Sequence, residues 1–148
     1  MANLFPSSTT TAEYPETEST VINYGSTVRF DFEKHEFVLS PTGRQPVLTG
    51  ADAWAEWCVK AICTERYSYL IYDHDYGEEI DQLFGQSMPH EVAESEIRRM
   101  TRECLLMDKR TASVDNFSFS WIDDGVIFSC QITNTLGDSL ILSRKVVR

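Results

Sequence analysis

A chain of 148 residues with 42% apolar and 24% charged content has the size and composition of one globular domain able to bury its own core. A formal charge of −10 is the opposite of the basic surface that phosphate binding needs, so nucleic acid is not an expected partner. No apolar run approaches the roughly 18 residues of a membrane-spanning helix. Met1–Thr11 has no basic leader region either, so the chain is expected to stay in the cytoplasm, or to join a particle assembled there, without membrane contact.

Residues 1–27 are rich in Ser and Thr and carry Glu13, Glu16 and Glu18 with no base. With so little apolar surface, this stretch is expected to be an arm that is loose in isolation, leaving 28–148 as a single domain. Val28, Phe30 and Phe32 alternate with Arg29 and Asp31, the period of a half-buried strand, and Phe37–Leu39 supplies its hairpin partner. Pro41, Gly43 and Pro46 then interrupt regular structure.

A first helix is expected from Thr49 or Gly50, with Thr49 and Asp52 at capping-box spacing. Trp54, Trp57, Cys58, Ala61 and Ile62 recur along one face of it, as core residues do. In Thr64–Gly77, Tyr67, Tyr69 and Ile71 alternate with Leu70 and Tyr72, which predicts an extended segment covered on both sides. A short helix over Glu78–Phe84 should stop at Gly85.

The second long helix is predicted from Pro89 to Met107, with Pro in its first turn. Its inner stripe is Ala93, Ile97, Met100, Cys104 and Leu105 or Met107. Glu91, Glu94 and Glu96 near its start, followed by Arg98, Arg99 and Arg102, suit the helix dipole. The i,i+4 pairs Glu94–Arg98 and Arg99–Glu103 describe a solvated face. Phe117, Phe119 and Trp121 alternate up to the turn Asp123-Asp124-Gly125, and Val126, Phe128, Cys130 and Ile132 alternate on the way back. Gly137-Asp138 turns into a last strand, Ser139–Val147. The expected fold class is α+β, with an N-terminal β-hairpin, two main helices and a C-terminal three-stranded antiparallel meander.

No pattern here points to chemistry. Asp73-His74-Asp75 on an extended chain would place His74 opposite both aspartates, a poor geometry for a metal, and no metal or other cofactor is expected. Glu65, Asp73, Asp75, Glu78 and Glu79 lie close in sequence, but in so acidic a chain neighbouring carboxylates carry little meaning for glycoside hydrolysis. A glycine-rich phosphate loop, a nucleophile elbow and a cysteine beside a base are all missing. Cys58, Cys63, Cys104 and Cys130 are scattered within apolar patterns and are expected to be buried free thiols. Arg144, Lys145 and Arg148 make the last residues locally basic, suited to an acidic neighbour or to guarding a sheet edge.

Four segments together have a wider meaning: Phe30-Asp31-Phe32, Trp54-Ala55-Glu56-Trp57, Thr64–Gly77 and Asp108–Phe119. Their order resembles a family of baseplate proteins from prophages and tail-like bacteriocins of Gram-positive bacteria. That family is a branch of the sheath-initiator group of contractile tails, also called lysozyme-like, and the resemblance covers roughly residues 28–148. Its two most specific parts are Thr64–Gly77 and Met107–Phe119, and Thr64, Glu65, Arg66, Tyr67, Tyr72, Tyr76 and Gly77 form the family-motif scaffold.

The resemblance implies a structural, non-enzymatic subunit in the baseplate of a virion or tail-like particle. About six copies would ring the tail tube or hub, contact baseplate wedge proteins and seed the tail sheath protein. The wider group bears a Glu-Pro-Arg triplet that engages the wedge. Asp108, Lys109 and Arg110 stand in its place here, with Lys109 departing from the proline and its rigid backbone. An Arg in that place suits bidentate pairing with a partner's carboxylates, or else caps the end of its own helix. Sheath growth by strand exchange points to Leu140, Ile141, Leu142, Ser143, Arg144 and Lys145 as the strand that accepts the sheath arm. Two other readings stand beside this one: a peptidoglycan-degrading tail enzyme, tested at Glu65, and an acidic adaptor that offers Trp54 and Trp57 to a partner.

Overall fold

A computed structural model describes residues 21–85 and 88–147. The order is β1 (Ser26–Val28), β2 (Phe30–Asp31), β3 (Glu36–Phe37), β4 (Val47–Thr49), α1 (Gly50–Ile62), a 3-10 helix (Ile80–Gly85), α2 (His90–Leu106), β5 (Thr111–Ile122), β6 (Gly125–Asn134) and β7 (Ser139–Val147). This is the expected α+β arrangement, with the three-stranded antiparallel meander in the order β5-β6-β7.

The core lies between one face of the meander and the helices. Central strand β6 turns Val126, Phe128, Cys130 and Ile132 inward, and Leu142 and Val146 of β7 join them. Trp54, Cys58 and Ile62 of α1, Ile97 and Leu105 of α2, and Ile80 of the 3-10 helix close over that face. Trp54 and Phe128 are wholly buried. Each such aromatic contributes about 2–3 kcal/mol by leaving water. The Trp54 indole N–H is satisfied by Thr111 Oγ1 at 2.9 Å, as a buried indole requires. Leu105 rather than Met107 completes the α2 stripe, since Met107 is exposed.

Several local expectations are corrected. Val28 does not belong to the Phe30–Phe37 hairpin: β1 pairs with β4, Val28 opposite Val47, and only β2 and β3 form the hairpin. The hairpin's aromatics, Phe30, Phe32 and Phe37, pack edge to face on one another at 5.0 and 5.3 Å. Thr49 is extended but makes no side-chain cap bond; it is the last residue of β4 and opposes Ser26, so α1 leaves a strand with no loop in which a capping box might form. Pro89 is the N-cap of α2, one residue before its first turn.

The arm was expected to reach residue 27, yet Tyr24 is buried and Ser26 and Thr27 are paired in β1. Tyr24, Ser26 and Thr27 are therefore part of the folded body, and the rest of the expected arm, residues 1–20, lies outside the described residues. Glu56 and Lys60, one turn apart on α1, hold this region. The Phe30 N–H donates to Glu56 Oε1 at 2.8 Å, and Lys60 Nζ donates to Thr27 Oγ1 and the Val28 carbonyl at 2.9 and 2.7 Å.

The solvated face expected on α2 is only half correct. Arg99 bridges Glu96 and Glu103 in water, but the neighbouring row roofs β5. Arg98 lies 4.7 Å from the Phe119 ring and Arg102 5.3 Å from Phe117. The Trp121 indole donates to Glu94 Oε1 at 3.0 Å, and the His90 ring stacks on Trp121 at 3.7 Å. These Arg side chains cover aromatic surface with their planar heads, a role that periodicity in α2 alone does not reveal. Of the cysteines, Cys58, Cys104 and Cys130 are buried and Cys63 is exposed, all four free. Burial pushes the Cys58 and Cys104 thiols up to about 12, which makes them inert packing residues.

Candidate assembly surfaces

Thr64–Gly77 is not the extended, covered segment that its alternation predicts. It is a loop of successive turns whose two ends are pinned together. Glu65 and Glu78 form an isolated parallel bridge. Arg66 N–H donates to the Glu78 carbonyl at 2.8 Å and Glu78 N–H to the Thr64 carbonyl at 3.0 Å. The Arg66 guanidinium adds two bonds to the Gly77 carbonyl, at 3.1 and 2.9 Å. Gly77 has φ +94°, and a Cβ there would sit 2.7 Å from the Thr64 carbonyl oxygen, so no other residue fits this closure. Tyr67, at φ 67°, departs from the extended path that the alternation assumed. The result is an Ω-like loop with adjacent ends.

Inside the loop the tyrosines pack on one another in a chain of edge-to-face and tilted ring contacts. Trp57 of α1 meets Tyr76 at 5.7 Å, Tyr76 meets Tyr72 at 4.6 Å, and Tyr72 meets Tyr69 at 6.0 Å. Burial pushes the Tyr76 phenol up to about 12. At the tip, Leu70 and Ile71 project into water with relative exposures of 106% and 87%. His74 packs against Tyr67 at 5.6 Å, and its N–H is bonded by the Asp73 carboxylate at 3.0 Å. Among the described residues no three His, Cys, Asp or Glu side chains converge as metal ligands.

Asp108 and Arg110 are brought together, with Lys109 exposed between them. Arg110 Nε donates to both Asp108 carboxylate oxygens at 3.0 and 2.9 Å. A further guanidinium nitrogen donates to the Tyr24 carbonyl at 2.7 Å, and the group lies 5.7 Å from the Trp57 ring. Their side chains are only 15% and 10% exposed, Arg110 first. Arg110 therefore reaches the N-terminal segment, not the carbonyls of its own helix end. The Tyr24 hydroxyl is bonded to Thr135 Oγ1 at 2.9 Å, so the chain entry, the α2 exit and the β6–β7 turn meet at this triplet.

The two edges of the meander differ. β5 carries register shifts at Thr111/Ser113 and Asp115/Ser118, with Asn116 at φ 51°. Such bulges blunt an edge against added strands. β7 pairs with β6 without a shift from Gly125–Val147 to Thr133–Ser139, and its other edge has no strand neighbour among the described residues. Leu142 and Val146 face the core, while Ile141, Ser143, Lys145 and Val147 face outward.

Arg144 shares the inward face and is not part of a free basic end. Its guanidinium donates to Glu78, to the Ile62 carbonyl at the end of α1, and to Asp81 at 2.9 Å. Glu78 is wholly buried and also accepts the Ile80 N–H. Burial holds its carboxyl above the usual range, with the Arg144 guanidinium opposing that shift. Sequence proximity singled out Glu78 only as one acid in a run. Its partner stands 66 residues away, and no local pattern joins them.

The family model for the contractile injection system sheath initiator matches residues 26–138, from the first residue of β1 to the turn before β7. The chain is also similar to the phage-like element PBSX protein XkdS of Bacillus subtilis (strain 168), 33% identical over 103 residues that make up 69% of each chain.

Proposed function

The chain belongs to the contractile injection system sheath initiator family, a structural family of phage-type tails, and from that premise we propose that it templates the first sheath ring through the outer edge of β7. The supporting observation is the contrast between edges. β5 is bulged, whereas β7 is regular over nine residues and has no strand neighbour on its outer side among the described residues. An incoming strand pairing with Leu140–Lys145 gains main-chain hydrogen bonds there, and the alternation of the strand fixes its register. Because the family match ends at residue 138, this assignment rests on the geometry of the strand.

The other end of the link is proposed at Asp108-Lys109-Arg110. The bidentate Asp108–Arg110 pair is turned largely inward, so it shapes the ridge, and Lys109 is the charge offered to a baseplate wedge protein. In this reading about six copies surround the tail tube or hub, in a particle assembled in the bacterial cytoplasm, and the chain catalyses nothing. The adaptor reading is weakened, because Trp54 is wholly buried and Trp57 is half-buried against Tyr76 and Arg110.

The test adds charge along the proposed edge without touching the core. Ile141 and Ser143 are exposed, and lysines on an edge oppose strand addition. A chain carrying Ile141→Lys and Ser143→Lys should melt within a few degrees of the wild type, since surface changes are usually within about 0.5 kcal/mol. It should enter baseplates but leave them bare of sheath in electron micrographs. Sheaths of normal length and number on such baseplates would overturn the β7 assignment.

A further inference from the structure

We infer that the tip of the Thr64–Gly77 loop is a docking knob for a different protein of the tail particle, one that receives Leu70 and Ile71 in an apolar pocket with a basic rim. Leu70 and Ile71 are two adjacent large aliphatic side chains exposed almost as in an extended chain, flanked by the exposed rings of Tyr67, Tyr69 and Tyr72. Scattered apolar side chains on a surface need no explanation, but a contiguous apolar tip does.

The loop is also held in one shape. The two Arg66–Gly77 bonds, the Glu65–Glu78 bridge and the Trp57–Tyr76–Tyr72–Tyr69 stack fix it from base to tip. These contacts order a segment whose tip takes no part in the core. A tip already rigid before binding loses little conformational freedom on docking, which is how a small contact reaches useful affinity. Tyrosine is among the residue types enriched at the few positions that carry most of an interface's energy.

Charge selects the occupant. Between residues 64 and 79 the acids are Glu65, Asp73, Asp75, Glu78 and Glu79, and Arg66 is the single Lys or Arg. Arg66 is turned to the Gly77 carbonyl and Glu78 to Arg144, which leaves Asp73 and Asp75 exposed within the loop and Glu65 exposed at its base. An acidic collar about an apolar tip complements a pocket rimmed by Lys or Arg. The same collar disfavours a second copy, because this chain carries a net charge of −10 and like charges across an interface oppose docking.

The inference rests on the chain being built into a tail particle but is independent of the β7 assignment. The experiment places a photo-cross-linking benzoylphenylalanine at Leu70, in the full chain expressed in cells that assemble the tail particle. Exposed Leu136 in the β6–β7 turn serves as the control position. The expected result is one dominant adduct from position 70, to a peptide of a different tail protein in which apolar residues stand beside Lys or Arg. A chain with Leu70→Asp and Ile71→Asp should keep its melting temperature and enter particles roughly tenfold less, the effect of about 1.4 kcal/mol. Adducts only between copies of this chain, a partner peptide without basic residues, no adduct beyond that at Leu136, or normal incorporation of the Asp variant would each overturn it. The Ile141→Lys, Ser143→Lys chain separates the two ideas: it should lose sheath yet keep the position-70 adduct.

Discussion

Glu78 and Arg144 show how one buried pair can hold three elements. Arg144 enters from β7, Glu78 lies just before the 3-10 helix and accepts the N–H of its first residue, Ile80, and the Ile62 carbonyl ends α1. A buried pair of this kind contributes little against an apolar replacement, but losing one member leaves a charge without a partner. Arg144→Met should cost about 3–5 kcal/mol at neutral pH by denaturant unfolding, and adding Glu78→Leu to it should recover much of that. The pH dependence has a definite sign. Burial raises the folded-state pKa of Glu78, so its favourable contribution is complete below the unfolded glutamate range and is lost as pH rises through the folded value. Without Arg144 the carboxyl is raised further. The deficit of Arg144→Met against the wild type should therefore shrink as pH falls from about 7.5 toward about 5. A deficit that grows with acidity would mean that Glu78 is not desolvated as the fold implies.

Elements differ in how far their own residues explain them. α2 begins and ends within a residue of its predicted bounds, Pro89 and Met107, and Ala93, Ile97, Cys104 and Leu105 face a core at helical spacing. β5 and β6 turn at Asp123-Asp124 as the sequence signals, and Gly125 just after the turn lets the backbone of β7 come close; a Cβ there would meet the Val146 carbonyl at 2.0 Å. The Thr64–Gly77 loop has the apolar alternation of a strand, and only its closure decides otherwise. That closure predicts the effect of Gly77→Ala. With φ +94° and a carbonyl at 2.7 Å, the variant should lose about 1–3 kcal/mol. Its amides in 66–77 should exchange hydrogen faster while those of β6 stay protected. Uniform loss across the meander would show that the loop is part of the global folding unit.

At the scale of the molecule, a single core joins the meander, both long helices and the 3-10 helix, and the N-terminal strands are bound to it through α1 and Arg110. Tyr24 contributes its burial, its hydroxyl and its carbonyl, and β1 contributes three residues paired with β4. A chain beginning at residue 21 should therefore be more stable than one beginning at residue 28, by about 2–4 kcal/mol, the scale of one large side chain plus a few hydrogen bonds. Thermal melting of the two shortened chains measures this directly. Equal melting temperatures would place the domain boundary at 28, where composition alone puts it.

What the sequence by itself determined is what repeats along the chain at a fixed period or is signalled by a turn: the two helices, the β5–β6–β7 meander and hence the α+β class. The motifs Thr64–Gly77 and Asp108–Phe119 pointed to the family that the comparison then showed. What only the tertiary structure decided is which distant groups meet. Val28 pairs with β4 instead of joining the hairpin, and Arg144 turns inward to Glu78. Arg110 closes on Asp108 and Tyr24, Arg98 and Arg102 roof the aromatics of β5, and Leu70 and Ile71 stand free. The physical reason is range. Periodicity reports which face of an element is apolar, whereas a charge or an aromatic ring takes its role from whichever partner the fold brings within a few ångströms.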